Sequence, residues 1–377
     1  MNVTVLGAGL VGLPIALELA KEKDLEVTIV DVDKKQLENA AKKGISTKKA
    51  NLCYPGEVRN SAGSSDLVIN AVPGHMGYNA LKWLIESGKN VVDIAFFPED
   101  PFTLEELALK HKTVVVFDAG VAPGMSNILS AHGYNEMDDV EEIRIYVGGL
   151  PRVRTLPYEY KAGFSPIDVI EEYTRPARFV SKGKVVTLPA LSDPELLNFD
   201  RVGTLEAFNS DGLRSLMKTL SVPEMVEKTL RYPGHREKML MLRDSGFFSS
   251  EETEINGQSI RPIDLTTKLL FPYWKLEEGE ADLTVMRIII KGTKGREKQE
   301  ITWNLHDEYH PGSGIHSMAR TTGYTATGIA RLIIDGKYNV PGIHPPEHLA
   351  KDPDIVESLL QYLKKRGIVY QKRTEKG

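Results

Sequence analysis

The opening stretch of the chain constrains its fold more than any other feature. Asn2-Val-Thr-Val-Leu6 reads as a short strand buried on both faces. Gly7-Ala8-Gly9-Leu10-Val11-Gly12 follows at once, and then Leu13-Pro-Ile-Ala-Leu-Glu-Leu-Ala-Lys21. In that last segment Leu13, Ala16, Leu17 and Ala20 share one helical face, and Pro14 falls in the first turn, where proline is tolerated. A second strand, Glu26-Val-Thr-Ile-Val30, ends at Asp31, 19 residues beyond Gly12.

Each part of this unit has a physical task. Gly7 permits the tight strand-to-helix turn, Gly9 lets backbone approach a pyrophosphate, and Gly12 lets helix and strand pack closely. The helix start offers N–H groups to phosphate through Leu10 and Val11. A carboxylate at Asp31 suits the two ribose hydroxyls and repels a 2′-phosphate, which selects NAD over NADP, with Lys34 and Lys35 acting against that preference. The order strand, glycines, amphipathic helix, strand, acid is far more specific than a bare glycine motif.

The alternation continues. Strands are expected at Asp66–Ala71, Asn90–Ala95 and Thr113–Asp118, with helices near Asn79–Ser87 and Leu104–His111. This predicts an α/β fold, a Rossmann-type doubly wound parallel sheet in which ligands bind beyond the strand carboxyl ends. Asn70, Ala71, Val72 and Pro73 lie at one such end and join the cofactor-binding candidates; Asp93 and Asp118 lie at two others. Capping or turn formation is the competing reading for each polar residue among them.

After Gly120-Val-Ala-Pro-Gly-Met-Ser-Asn127 the pattern changes to strands with one wet face: Glu142–Val147, Val226–Tyr232, Leu283–Ile290 and Glu300–Leu305. Gly292–Arg296 reads as a hairpin turn between the last two. The expected organisation is a dinucleotide-binding domain at 1–127 and an inserted, mainly antiparallel α+β substrate domain at 128–310. Helices are expected at Met318–Asp335 and Ile355–Lys365, within 311–377.

Composition narrows the partners. Lysine plus arginine number 47 against 52 acids, a net charge of −5 that excludes a generally basic nucleic-acid coat. One cysteine, Cys53, excludes an intrachain disulfide and a Cys-rich metal site. With no apolar run of membrane-spanning length and no basic leader before the first strand, a cytoplasmic location is expected. Exposed strand edges in the second domain make a homodimer the expected assembly.

Chemistry-bearing side chains cluster in four places. Arg231-Tyr-Pro-Gly-His235 sets a cation and a histidine about a tight turn, suited either to a substrate carboxylate and a proton relay or to a surface arginine beside a turn histidine. Arg152, Arg154, Tyr158, Tyr160 and Lys161 crowd one loop, either gripping a zwitterion or forming a solvated rim. Glu206 and Arg214 are weaker candidates of the same kind. His306-Asp-Glu-Tyr-His310 superficially suggests a zinc-binding helix, but strand-like alternation before it and Pro311-Gly312 after it favour a solvated turn; no metal site is expected.

Several blocks together resemble the saccharopine dehydrogenase-like family along nearly the whole chain, and within it the lysine 6-dehydrogenases. They are Val5–Leu10, Asp118–Met125 with Asn127, Tyr146–Pro151, Phe199–Arg201 with Leu205–Phe208, Arg231–His235, and Ser317–Arg320 with Tyr324. The resemblance implies an NAD-dependent enzyme that removes the ε-amino group of L-lysine as ammonium and leaves the 6-semialdehyde, which cyclises. It also implies that 311–377 is a helical return that packs on the first domain. It makes Asp93 and Asp118 the candidates for base or ammonium anchor, and Tyr160, Arg214, Arg231 and His235 those for substrate binding. Ala122-Pro123-Gly124 stands where saccharopine reductases carry Asp-Pro-Gly, which points toward the amine dehydrogenase; Gly212–Leu216 and Arg320–Gly323 look more reductase-like. Two alternatives stay open: a saccharopine reductase-type oxidoreductase of a secondary amine, and an NAD(H)-binding redox sensor without turnover.

Overall fold

The computed structural model describes residues 1–277 and 279–376. In chain order the elements are β1 (Asn2–Leu6), α1 (Gly12–Leu19), β2 (Glu26–Asp31), α2 (Lys34–Lys42), β3 (Ser46–Lys49), α3 (Pro55–Ala62), β4 (Leu67–Asn70), α4 (Gly74–Glu86), β5 (Asn90–Asp93), α5 (Glu105–His111), β6 (Val114–Val116) and α6 (Met125–Asn135). They continue with β7 (Asp139–Pro151), α7 (Pro166–Thr174), β8 (Ala177–Ser181), β9 (Lys184–Leu188), β10 (Glu195–Phe199), β11 (Gly203–Asn209), α8 (Leu216–Thr219), β12 (Glu224–Arg231) and α9 (His235–Asp244). The last are β13 (Thr253–Ile255), β14 (Gln258–Ile260), α10 (Pro262–Trp274), β15 (Asp282–Lys294), β16 (Glu297–Glu308), α11 (Ser317–Ile334), β17 (Gly342–His344), α12 (Pro353–Lys364) and β18 (Tyr370–Lys376).

The chain divides into two units: Met1–His132 with Ala319–Val369, and Gly133–Met318 with Tyr370–Gly377. The first holds a seven-stranded sheet in the order β17-β6-β5-β4-β1-β2-β3. Every neighbouring pair is parallel, as in the register Val3↔Val27 and Val3↔Leu67. Val5, Ile29, Ile69 and Val92 are wholly buried, because helices cover both faces of a parallel sheet. Each such side chain contributes about 1.5–3 kcal/mol. The returning chain supplies β17, which extends this sheet beside β6.

The second unit carries a nine-stranded sheet with the path β10-β11-β12-β7-β15-β16-β18, β8 and β9 branching from β12. The β12–β7 pair is parallel and the other pairs are antiparallel. An apolar cluster that includes Tyr160, Tyr173, Phe208, Met239 and Trp274 packs helices α7, α9 and α10 into this unit. The segment Tyr370–Lys376 is a strand rather than helical return: it pairs antiparallel with β16 and is exposed along nearly its whole length, as an edge strand is. Lys372, Arg373, Glu375 and Lys376 load that edge with charge, a feature that resists pairing with a second copy there.

Candidate functional site

In the first unit the structure builds an anion cradle at the start of α1. Gly7 has φ +98°, and a Cβ on it would meet the Ala71 carbonyl oxygen at 2.5 Å. A Cβ on Gly12 would meet the Gly7 carbonyl oxygen at 2.0 Å, so both glycines are dictated by backbone packing. Gly9 differs: a Cβ there would meet nothing within 4 Å, and Gly9 and Leu10 face solvent. No side chain caps α1 and no acid occupies its first turn, which leaves its positive end for an anion such as a pyrophosphate. The residues therefore fit a dinucleotide.

Asp31 closes the cradle. Its Oδ2 accepts from the Ala8 N–H at 2.6 Å and its Oδ1 from the Asp33 N–H at 2.8 Å, which fixes the carboxylate at the end of β2. Asn70 lies at the end of β4, with Ala71, Val72 and Pro73 leading into α4. Its amide is turned inward and donates to Asp93 Oδ2 at 2.6 Å and to the Gly77 carbonyl at 3.3 Å. Asp93 is wholly buried, and its Oδ1 accepts from the Ala95 N–H at 2.7 Å. The pair ties β4, β5 and α4 together, so Asp93 braces the sheet rather than standing open to a substrate.

Asp118 is also buried, at 3% exposure. It follows β6 with φ +50°, a left-handed conformation that Asp and Asn tolerate better than most residues. The next loop is tight, since a Cβ on Gly124 would meet the Gly120 carbonyl oxygen at 1.8 Å. Asn127 Oδ1 accepts from the Gly124 N–H at 3.3 Å, and Asn127 Nδ2 donates to Glu347 Oε2 at 3.2 Å. Glu347 is 3% exposed. Sequence reasoning missed it, because it sits in a single 3-10 turn, Pro346–Lys351, directly after the three-residue strand β17, and neither carries a pattern long enough to read.

In the second unit, alternation along β12 sets Glu227, Thr229 and Arg231 on one face. Arg231 donates to Glu172 Oε2 at 2.6 Å, to Tyr173 Oη at 3.2 Å and to the Leu230 carbonyl at 2.9 Å. Its guanidinium lies 4.6 Å from the Tyr160 ring centroid, and that ring is 5.0 Å from His235. Burial and then the charge of Arg231 push His235 down to about 3, so the ring is neutral at physiological pH. His235 Nδ1 meets the Tyr158 carbonyl at 2.8 Å and is therefore the protonated nitrogen; Nε2 then accepts from the Tyr173 hydroxyl at 3.0 Å. A directed chain results: Arg231 to Tyr173 to His235 to Tyr158.

Three substrate candidates, Tyr160, Arg231 and His235, thus come together, but nine-tenths or more buried and bonded to one another. Glu172 and Tyr173, which complete the group, sit on α7 among apolar residues and offered no motif. Arg214, with φ +51°, lies in the loop whose Gly212 N–H donates to Glu227 at 3.1 Å. Arg154 is exposed and pairs with Glu159 at 2.9 Å, as in a solvated rim, whereas Lys161 is mostly buried and pairs with Glu280 at 3.3 Å. His306 lies on β16 with Glu308 2.9 Å away, while His310 bonds Ser313 in the following turn. Among the described residues no group of three or more His, Cys, Asp or Glu is placed to hold a metal ion.

Glu227 carries a pH signature. Burial pushes its carboxyl up to about 8 from 4.5, with Ser210 donating to it at 2.7 Å. The fold holds the protonated form, so its stabilising contribution is whole below pH 4.5 and lost as pH rises toward 8. Glu227→Gln is expected to flatten the fall in thermal stability over that interval, measured by circular dichroism at a series of pH values.

Comparison with known proteins agrees with this architecture. Residues 3–116 match the saccharopine dehydrogenase NADP binding domain and residues 120–368 the saccharopine dehydrogenase C-terminal domain. Saccharopine dehydrogenase [NADP(+), L-glutamate-forming] of Schizosaccharomyces pombe is 23% identical over 97% of each chain. Mitochondrial alpha-aminoadipic semialdehyde synthase of Bos taurus is 22% identical over 98% of this chain but only 47% of its own length, so the chain spans about half of that relative. The solved structure of apo saccharopine dehydrogenase (L-Glu forming) from Saccharomyces cerevisiae superposes with a TM-score of 0.81 at 20% identity, covering 99% of both chains. No described helix is long and apolar enough to cross a membrane. With family models matching residues 3–116 and 120–368, the chain belongs to the saccharopine dehydrogenase family.

Proposed function

We propose that this chain is an oxidoreductase that uses a nicotinamide dinucleotide, NAD in our reading, to oxidise the carbon bearing the ε-amino group of L-lysine. The observation that carries the proposal is the cradle of Gly7, Gly9 and Gly12 at an uncapped helix start, closed by the Asp31 carboxylate. Asp31 supports NAD, because a 2′-phosphate at the end of β2 would meet a like charge. A bound nicotinamide supplies a hydride acceptor. The balanced reaction is R–CH2–NH3⁺ + NAD⁺ + H2O → R–CHO + NH4⁺ + NADH + H⁺.

Hydride departure from the carbon requires a neutral amine, whereas the lysine side chain titrates near ~10.4. Asp118 is our base: a carboxylate on a loop tightly held by Gly120, Gly124 and Asn127 takes the ammonium proton. Arg231, Tyr173, His235 and Glu172 are the rigid scaffold of the second unit in this reading. The choice of lysine rests on Ala122-Pro123-Gly124, which lacks the carboxylate that saccharopine reductases carry there. A second reading, a saccharopine-type secondary amine, draws on the names and near-complete coverage of the yeast relatives.

One panel separates the readings. NADH formation at ~340 nm is followed with lysine, ornithine, saccharopine and diamines, with ammonium and glutamate measured alongside. Lysine turnover with one ammonium per NADH, fastest at alkaline pH, is expected. Glutamate release from saccharopine selects the second reading, and silence with every amine selects a sensor. Asp118→Asn keeps a residue that tolerates φ +50° and is expected to lower kcat by about 10²-fold or more with NADH affinity unchanged.

A further inference from the structure

We propose that Glu347 is a positioning residue: through Asn127 it holds the loop 118–127 in the shape that presents the Asp118 carboxylate. The inference rests on the reading of Asp118 as the base. Asp118 is left-handed, and Gly124, at φ +138°, is packed hard against the Gly120 carbonyl. A non-glycine residue keeps such a backbone only where its surroundings over-determine it. Part of that support is internal. The Gly120 N–H donates to the Pro123 carbonyl at 3.1 Å, and the Met125 and Ser126 N–H groups donate to the Gly120 and Val121 carbonyls at 2.9 and 3.0 Å. The rest comes from the returning chain of the same unit. The His344 carbonyl, at the end of β17, accepts from the Phe117 N–H at 3.2 Å, directly before Asp118. At the far end of the loop Glu347 Oε2 accepts from Asn127 Nδ2 at 3.2 Å, across 220 positions of sequence. One short segment therefore grips both ends of the loop. Thr322 of α11 backs its middle, since a Cβ on Gly120 would meet Thr322 Cγ2 at 3.2 Å.

A carboxylate suits this task for a chemical reason. An ionised carboxylate only accepts, so it admits the NH2 end of the Asn127 amide and refuses the oxygen end. The oxygen is thereby turned into the loop, where it accepts from the Gly124 N–H at 3.3 Å and from the Ser126 hydroxyl at 2.9 Å. All three polar contacts of the amide are then in use, and its orientation is set from outside the loop. Both Glu347 and Asn127 are buried, where a bond to a charged acceptor is stronger than one between neutral groups. Glu347 acts on the reaction only through Asn127 and the loop between that residue and Asp118.

Hydrogen exchange of the full chain, read by mass spectrometry, tests the clamp without reference to turnover. Glu347→Ala is expected to speed exchange across 118–127 by about 10-fold or more and to leave β1 and α1 unchanged. Asn127→Asp sets two acceptors face to face and is expected to do the same. Glu347→Gln keeps an acceptor oxygen and is expected to stay near wild type. Asn127→Asp with Glu347→Gln exchanges donor and acceptor, and is expected to restore protection. In lysine oxidation Glu347→Ala is expected to lower kcat by about 100-fold with KM and NADH affinity nearly unchanged, and Glu347→Gln to retain most of it. Unchanged exchange in Glu347→Ala, or a double variant no better protected than Asn127→Asp, overturns the clamp whatever the turnover. A loosened loop with wild-type kcat overturns its part in positioning Asp118. A joint fall of melting temperature and NADH affinity makes Glu347 a residue of the fold and overturns the proposal too. A wild type inert toward every amine fails the reading of Asp118 instead, and the exchange results still decide the clamp.

Discussion

Arg231→Ala is expected to lower the unfolding temperature of the second unit by about 10 °C. The guanidinium is 3% exposed and is the direct partner of Glu172, whose carboxyl burial already pushes upward. Alanine leaves that acid without its cation, removes the donor to Tyr173, and empties the space over the Tyr160 ring. Breaking a buried pair from one side costs about 3–5 kcal/mol. At about 2–4 °C per kcal/mol for a unit of this size, a shift of that order follows. Arg231→Lys keeps the charge but loses the planar fork that reaches Glu172, Tyr173 and the Leu230 carbonyl, and should recover only part. Replacing both members, Arg231→Met with Glu172→Gln, is expected to recover most of the loss. Calorimetric unfolding at neutral pH reads all three. An unshifted melting temperature with a raised KM for the amino acid would return Arg231 to the role of substrate ligand.

The second large effect separates two glycines three residues apart. Gly12→Ala puts a Cβ 2.0 Å from the Gly7 carbonyl oxygen, a backbone atom that cannot swing aside. The turn must open, with an expected loss of about 1–3 kcal/mol and of dinucleotide binding together. Gly9→Val adds its side chain where nothing lies within 4 Å, so the fold has no reason to suffer. That open space is where the proposal puts the pyrophosphate, and binding should weaken by about 100-fold or more while the melting temperature holds. Equal loss of stability in the two variants would mean that Gly9 serves the fold and the cradle is not a binding site.

How much was legible in the sequence varies along the chain for physical reasons. β1, α1 and β2 were readable because a buried parallel strand and an amphipathic helix impose dense, unlike periodicities on adjacent residues. β3, the edge strand Ser46-Thr-Lys-Lys49, was not, since it carries no apolar alternation and owes its conformation to pairing with β2. α4 begins at Gly74, well before the expected Asn79, because its first turn is Gly-His-Met-Gly, poor in helix formers and set by Pro73. Between Arg152 and Asp282 only β12 was anticipated. Strands such as Lys184–Leu188 are mostly exposed, and α7 and α10 each start at a proline that reads as a breaker.

The site divides in the same way. Glycine roles follow from local backbone geometry, so Gly7 and Gly12 were legible one residue at a time. Arg231 and His235 were marked by the Tyr-Pro-Gly turn between them, but their partners Glu172 and Tyr173 come from a helix about sixty residues earlier and are joined only by folding. Asp93 was misleading in the opposite sense. Its place at a strand end invited a catalytic reading, and only the Asn70 amide and Ala95 N–H reveal that both oxygens are already bonded.

Calorimetric titration of the purified chain with NADH, and separately with NADPH, tests the central claim most directly. One dinucleotide bound per chain is predicted, with NADH the tighter ligand by about tenfold or more because Asp31 stands at the end of β2. Tighter NADPH would contradict the part assigned to Asp31. No heat and no change in nicotinamide fluorescence with either ligand would contradict the whole account.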